Sequence, residues 1–172
     1  MSLDNIKNII NDHFKMHEPM AGLTPEINKF AEKLTNVLKN DGTVFWCGNG
    51  GSASDSQHLA AELIGRFEKN RAPLKSISLN TDTSVISALA NDYSYDIVFK
   101  RQLESLGSSK DLLVAISTSG KSKNIINVLQ EAKKKKLFSV ALLGNDGGQA
   151  KDLSDLSIVV PSNSTARIQE MH

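Results

Sequence analysis

A single cysteine, Cys47, occurs in the whole chain. No internal disulfide can form, and its place inside an apolar run fits a reducing compartment. Charge of one sign is also missing: 20 Lys and Arg stand against 19 Asp and Glu, for a net charge of +1. The basic residues are dispersed, which argues against nucleic acid as the main ligand. The longest basic run, Lys133 to Lys136, falls where a helix should end and suits the negative end of its dipole. No apolar run approaches the roughly 20 residues of a membrane span. The amino terminus has a helical pattern with early acids, unlike a secretory signal, so the expected compartment is the cytoplasm. Neither repeats nor low-complexity linkers divide the 172 residues, which read as one soluble domain with a sizeable core.

What is present alternates. Leu3 to about His17 carries Leu3, Ile6, Ile9, Ile10 and Phe14 at helical spacing. Thr24 as N-cap and Pro25 at the first helical position open a second helix with the stripe Ile27, Phe30, Ala31, Leu34, Val37 and Leu38; Asn40-Asp41-Gly42 ends it. Five apolar runs read as strands: Thr43–Cys47, Leu74–Leu79, Asp111–Ile116, Phe138–Leu143 and Leu156–Val160. Helical patterns separate them, after Ser52 or Ser54 through Leu59, Ala60, Ala61 and Leu63, from Asp82 or Thr83 to Asn91-Asp92, near Asp96–Leu106 and over Ile125–Ala132, and a last helix starts near Ser164. Near-continuous apolar strands alternating with helices predict an α/β fold, a three-layer sandwich around a five-stranded parallel sheet, with two extra helices leading. In such sheets ligands bind at the carboxyl ends of the strands, near the point where strand order reverses.

Two polar loops follow strands and therefore share that edge. The first, Gly48-Asn49-Gly50-Gly51-Ser52, leads into a helix that Ser52 or Ser54 can cap. Its glycines let backbone approach a ligand, and the helix start favours an anion or polar sugar. It also fits the loose dinucleotide pattern GxGxx[GA], but no acid closes the second strand, where Leu79-Asn80 stands and Asp82 comes late. On the same helix His58 and Glu62 stand four residues apart, on one face, able to ligate a metal or move protons. The second loop, Ser117-Thr118-Ser119-Gly120-Lys121-Ser122, sets several hydroxyls before a helix start, more than one cap requires, and reads as a phosphate cradle. There is no GxxxxGK[ST], which argues against a nucleotide triphosphatase.

These segments together resemble the phosphoheptose isomerases, members of the sugar isomerase (SIS) domain family, over nearly the whole chain. The resemblance implies a flavodoxin-like SIS fold. It makes Glu62 the catalytic acid/base that moves a proton between C1 and C2 through an enediol. It makes His58, Glu62 and Gln169 ligands of one Zn²⁺ per subunit. Substrate contacts would come from Asn49, Gly50, Gly51, Ser52, Glu62, Asn91, Asp92, Ser117, Thr118, Ser119, Ser122 and Gln169. Lys121 replaces the family's usual Asn. The family's second metal-binding His would lie about two turns beyond His172. The last helix, with Ile168 and Met171 unburied in any pattern, therefore reads as truncated.

The activity implied is interconversion of sedoheptulose 7-phosphate and D-glycero-D-manno-heptose 7-phosphate, for lipopolysaccharide or capsule heptose. The partners implied are the sugar phosphate and copies of the same chain, in a homotetramer with sites at subunit interfaces. Two other readings share the fold: isomerisation of another sugar phosphate, and a non-catalytic SIS protein of the kind that associates with a replication initiator. Glu62 separates the last from the enzymes, because initiator-binding relatives lack a carboxylate there.

Overall fold

The computed structural model describes residues 2–172. Five parallel strands make one sheet in the order β2-β1-β3-β4-β5: β1 Val44–Gly48, β2 Ser76–Ser78, β3 Leu112–Ser117, β4 Phe138–Gly144 and β5 Leu156–Val160. Strand order reverses between β1 and β3, which pair from Val44↔Leu112 to Gly48↔Ile116. The two polar loops therefore flank the switch point. Every residue of β1 and β3 is buried, as expected of strands covered on both faces.

Alternation along the strands assigns the two faces. Phe45, Cys47, Leu113, Ala115, Ala141 and Leu143 point to one side, where Phe99, Leu103, Val128 and Leu129 meet them. Those partners come from α6 (Val98–Leu106) and α7 (Lys123–Lys134). Val44, Trp46, Leu112, Val114, Val140 and Leu142 point to the other side, against α3 (Thr24–Lys39) and α4 (Gly51–Ile64). The predicted three layers are present. Among the described residues no helix is long and apolar enough to cross a membrane.

Several boundaries differ from expectation. The first predicted helix ends early, as α1 (Leu3–Phe14), and a short α2 (His17–Ala21) that was not expected follows it; the two do not run on as one because Pro19 lacks an N–H and its ring would clash with the carbonyl four residues back. Three helices therefore lead. Thr24 is not a cap: Leu23 takes that position, and the Thr24 hydroxyl donates to the Ala21 carbonyl at 2.7 Å. β2 has three residues rather than six, as an edge strand with one neighbour. The stretch from Asp96 splits into a 3₁₀ turn, Tyr95–Ile97, and α6, following α5 (Thr83–Asp92), which Asp82 caps. A short α8 (Gly148–Leu153) follows β4 unannounced, because Gly147-Gly148 reads as a turn and six residues carry too little periodicity.

The last helix, α9 (Thr165–Met171), corrects the expectation of an unburied stripe: Ile168 is fully buried with Val160 and Met16. Its side chain fills the space a Cβ on Gly144 would occupy. On another face Arg167 donates to the Ile9 carbonyl at 2.6 Å, and His13 pairs with Glu170 at 2.8 Å, so α1 is tied to α9. The rest of α1 is uncovered, with Leu3, Ile6, Ile9, Ile10 and Phe14 all exposed.

Candidate active site

At the end of β1, the Asn80 amide clamps Gly48, accepting from its N–H at 3.2 Å and donating to its carbonyl at 2.9 Å. Gly50 then caps α4 with φ 57° and ψ −120°, a backbone that side-chain-bearing residues avoid. This corrects the expectation of a serine cap. Ser52 lies inside the helix, 3% exposed, and its hydroxyl donates to Gln169 Oε1 at 3.2 Å. Gln169 lies so close over the loop that a Cβ on Gly51 would stand 2.9 Å from its Oε1. Its amide also donates to Asp55. Gln169, expected as a ligand of the metal with His58 and Glu62, is held here beside the glycine loop, with Ile168 next to it packed against Gly144.

Asp55 was not singled out in advance, although it shares a helix face with His58 and Glu62. Burial pushes its carboxyl above the usual range, while His172 and His58 pull the other way. His172 donates through Nε2 to the Leu143 carbonyl at 3.1 Å, and burial pushes its imidazole below the ordinary value. A turn further along α4, His58 Nε2 and Glu62 Oε1 stand 3.6 Å apart. Two donors on one tetrahedral ion at about 2.0–2.2 Å are separated by roughly 3.3–3.6 Å, so this pair fits a shared zinc. Gln169 is turned instead to Ser52 and Asp55, and no group of three or more His, Cys, Asp or Glu among the described residues could hold a metal.

The second loop is built differently. Ser117, the last residue of β3, accepts through its hydroxyl from Gly120 N–H at 3.1 Å, and Ser119 accepts from Lys121 N–H at 3.3 Å. Ser122 caps α7 without a side-chain bond to it. Among the described residues neither the Thr118 nor the Ser122 hydroxyl has a protein partner; Thr118 follows β3 directly and Ser122 is the N-cap of a 12-residue helix. Such a site suits a phosphate. Lys121 leans outward to Asp146 at 3.8 Å; Gly148 N–H and then Lys121 hold that carboxyl below its usual range.

The segment after β4 braces this loop. Asn145 donates to the Thr118 carbonyl at 2.9 Å, and Ala150 N–H to the Gly120 carbonyl at 3.0 Å. Gly120 has φ +63°, and a Cβ there would stand 1.9 Å from the Gly147 carbonyl oxygen. Gly120→Ala is therefore expected to cost roughly 3 kcal/mol, from left-handed strain plus a backbone overlap that cannot relax cheaply. In a thermal melt that is a fall of about 6–12 °C.

Asn91 and Asp92 end α5, bonded to each other at 2.9 Å. Just beyond them Tyr95 reaches Asn49 Oδ1 at 3.2 Å, so this corner closes on the glycine loop. Glu62 lies elsewhere. Leu63 O accepts from Leu74 N–H, which places the end of α4 beside the start of β2, at the opposite edge of the sheet. Along the helix, Glu62 is roughly 16 Å beyond Gly51. Arg71 fixes this end by donating to the Glu62 and Leu63 carbonyls, each at 2.7 Å. One chain thus brings together the glycine loop, the hydroxyl loop and Gln169, but holds Glu62 apart from residues 117–122, with no hydrogen bond or ion pair between them among the described residues.

The SIS domain profile matches residues 14–144. The phosphoheptose isomerase of Helicobacter pylori strain ATCC 700392 / 26695 is 47% identical over 172 residues, covering 97% of this chain and 90% of that one. Phosphoheptose isomerase 1 of Campylobacter jejuni serotype O:2 is 49% identical over 161 residues, 94% and 87% of the two chains. A solved phosphoheptose isomerase from Francisella tularensis superposes with a TM-score of 0.95 at 34% identity, over 99% of this chain and 91% of that one. With the order β2-β1-β3-β4-β5 and both loops at its switch point, the chain belongs to the SIS-domain family and, within it, to the phosphoheptose isomerases.

Proposed function

We propose that the chain is an aldose–ketose isomerase that interconverts sedoheptulose 7-phosphate and D-glycero-D-manno-heptose 7-phosphate. The observation that carries this is the hydroxyl loop. Two unpartnered hydroxyls, Thr118 and Ser122, meet a helix start across the switch point from the glycine loop. Ser117, Thr118, Ser119 and Ser122 take the phosphate with neutral donors. Gly50, Gly51, Ser52, Asn91, Asp92 and Gln169 take hydroxyls, and residue 49 contributes through its backbone. Holding the distal phosphate lets binding energy orient the carbonyl end.

Isomerisation takes a proton from one of C1 and C2 and returns it to the other. Glu62, about one-third exposed, is the carboxylate that carries it. His58 and Glu62 are the residues that would hold Zn²⁺, one per subunit, with Gln169 joining them once released from Ser52 and Asp55. When bound, the metal supplies charge stabilisation to the oxygens of the enediolate.

Glu62 and the phosphate loop of one working site come from different copies, because α4 carries Glu62 roughly 16 Å beyond Gly51 to the sheet edge opposite residues 117–122. The uncovered apolar stripe of α1 supplies a surface for assembly into the homotetramer, with sites at its interfaces. The compartment is the cytoplasm, and the product serves heptose-containing lipopolysaccharide or capsule.

The test follows sedoheptulose 7-phosphate by proton NMR with the full-length protein and zinc. Conversion to the aldose is expected, with free sedoheptulose turned over at least about a hundredfold more slowly because the anchor is missing. Absence of conversion of the phosphate ester by zinc-loaded protein would overturn the assignment.

A further inference from the structure

The two ligand loops are joined by one pair of amides. Asn124, in the first turn of α7, donates through Nδ2 to Asn49 Oδ1 at 2.8 Å; Asn49 Nδ2 donates back to Asn124 Oδ1 at 2.9 Å. The Tyr95 hydroxyl adds a third bond to Asn49 Oδ1 at 3.2 Å. Asn124 is 3% exposed. An asparagine so near a helix start ordinarily faces water or bonds its own backbone. Here neither amide bonds to backbone, so neither builds the loop or helix that carries it. Each is committed to a partner 75 residues away.

We propose that Asn124 is a positioning residue. Its clasp with Asn49 holds the glycine loop and the hydroxyl loop as one frame across the β1/β3 switch point. A phosphate seated at residues 117–122 then fixes where the carbon chain meets Gly50, Gly51 and Ser52. The inference rests on reading residues 117–122 as the phosphate site. It also reassigns Asn49, whose side chain serves the frame rather than a substrate hydroxyl. An amide has two donor hydrogens and two lone pairs, and only a second amide returns one of each. Asp at 124 keeps the bond from Asn49 but cannot donate back; Ala loses both and leaves the Asn49 amide short of partners in a half-buried place.

The experiment measures kcat, KM and competitive inhibition by inorganic phosphate for the full-length wild type, Asn124→Ala, Asn49→Ala and the double variant. Loops that slip by a fraction of an ångström should lower kcat/KM at least about tenfold in Asn124→Ala, mostly through kcat, with phosphate inhibition within about twofold of wild type. Residues acting as one unit are not additive, so Asn49→Ala should match it and the double variant should be no worse than either single within about twofold. Asn124→Asp, nearly isosteric, should lose part of the activity and serves if the alanine variant does not fold.

An unchanged kcat/KM in Asn124→Ala and Asn124→Asp overturns the proposal. So does a double variant whose losses multiply, since Asn49 would then act on substrate independently. Inorganic phosphate that fails to compete with substrate in the wild type removes the phosphate-site reading itself. That outcome is distinguishable because it appears before any substitution is made.

Discussion

Glu62→Gln is expected to lower kcat by about a thousandfold, the middle-to-upper range for removing a positioned acid/base. The amide keeps the size and hydrogen-bonding reach of the carboxylate but cannot take a proton from carbon. Binding should survive, because the proposed phosphate anchor is the hydroxyl loop at residues 117–122, which makes no hydrogen bond or ion pair with Glu62 among the described residues. Substrate at about 100 times Kd should still stabilise the variant by roughly 2.7 kcal/mol. For a chain of this size that raises the melting temperature by about 5–10 °C. Metal content has to be measured alongside, since the same residue is assigned to the zinc. A variant within tenfold of wild-type turnover at full metal loading sinks the role of Glu62 as proton carrier.

The second large effect is a gain, from mixing two dead proteins. Ser122→Asp places a negative charge where the phosphate should sit and keeps a good helix N-cap, so the variant should fold and lose phosphate binding. Refolded or co-expressed in equal amounts with Glu62→Gln, it should recover about a quarter of the wild-type rate, because random pairing leaves one site in four with both halves intact. That recovery is possible only if residue 62 and the 117–122 loop of a working site belong to different copies. Mixed oligomers that stay inactive, confirmed as mixed by native mass spectrometry, would place the whole site within one chain.

Asn124 entered the frame only through space. Nothing in Ser122-Lys123-Asn124-Ile125 distinguishes an inward amide from an ordinary polar residue of a first turn; the partner stands 75 positions earlier. Asp55 is similar. Its face was computable from helical spacing, but its burial and its bond to Gln169 required α9 to lie across the start of α4. The serine caps expected on α4 failed for the same reason: Ser52 is drawn to Gln169, and Gly50 can take the turn alone.

By itself the sequence determined the parallel α/β sheet, four of the five strands nearly to their ends, the placement of both polar loops at the carboxyl edge, and the pairing of His58 with Glu62 on one helix face. These follow from local periodicity and from residue types whose backbone or chemical preferences act over a few positions. Tertiary structure alone decided that Ile168 is buried, that Asn49 faces Asn124, and that Glu62 stands at the far edge of the sheet from the hydroxyl loop. Those depend on which elements meet, and contacts between distant segments are set by the packing of the whole core rather than by any short stretch of chain.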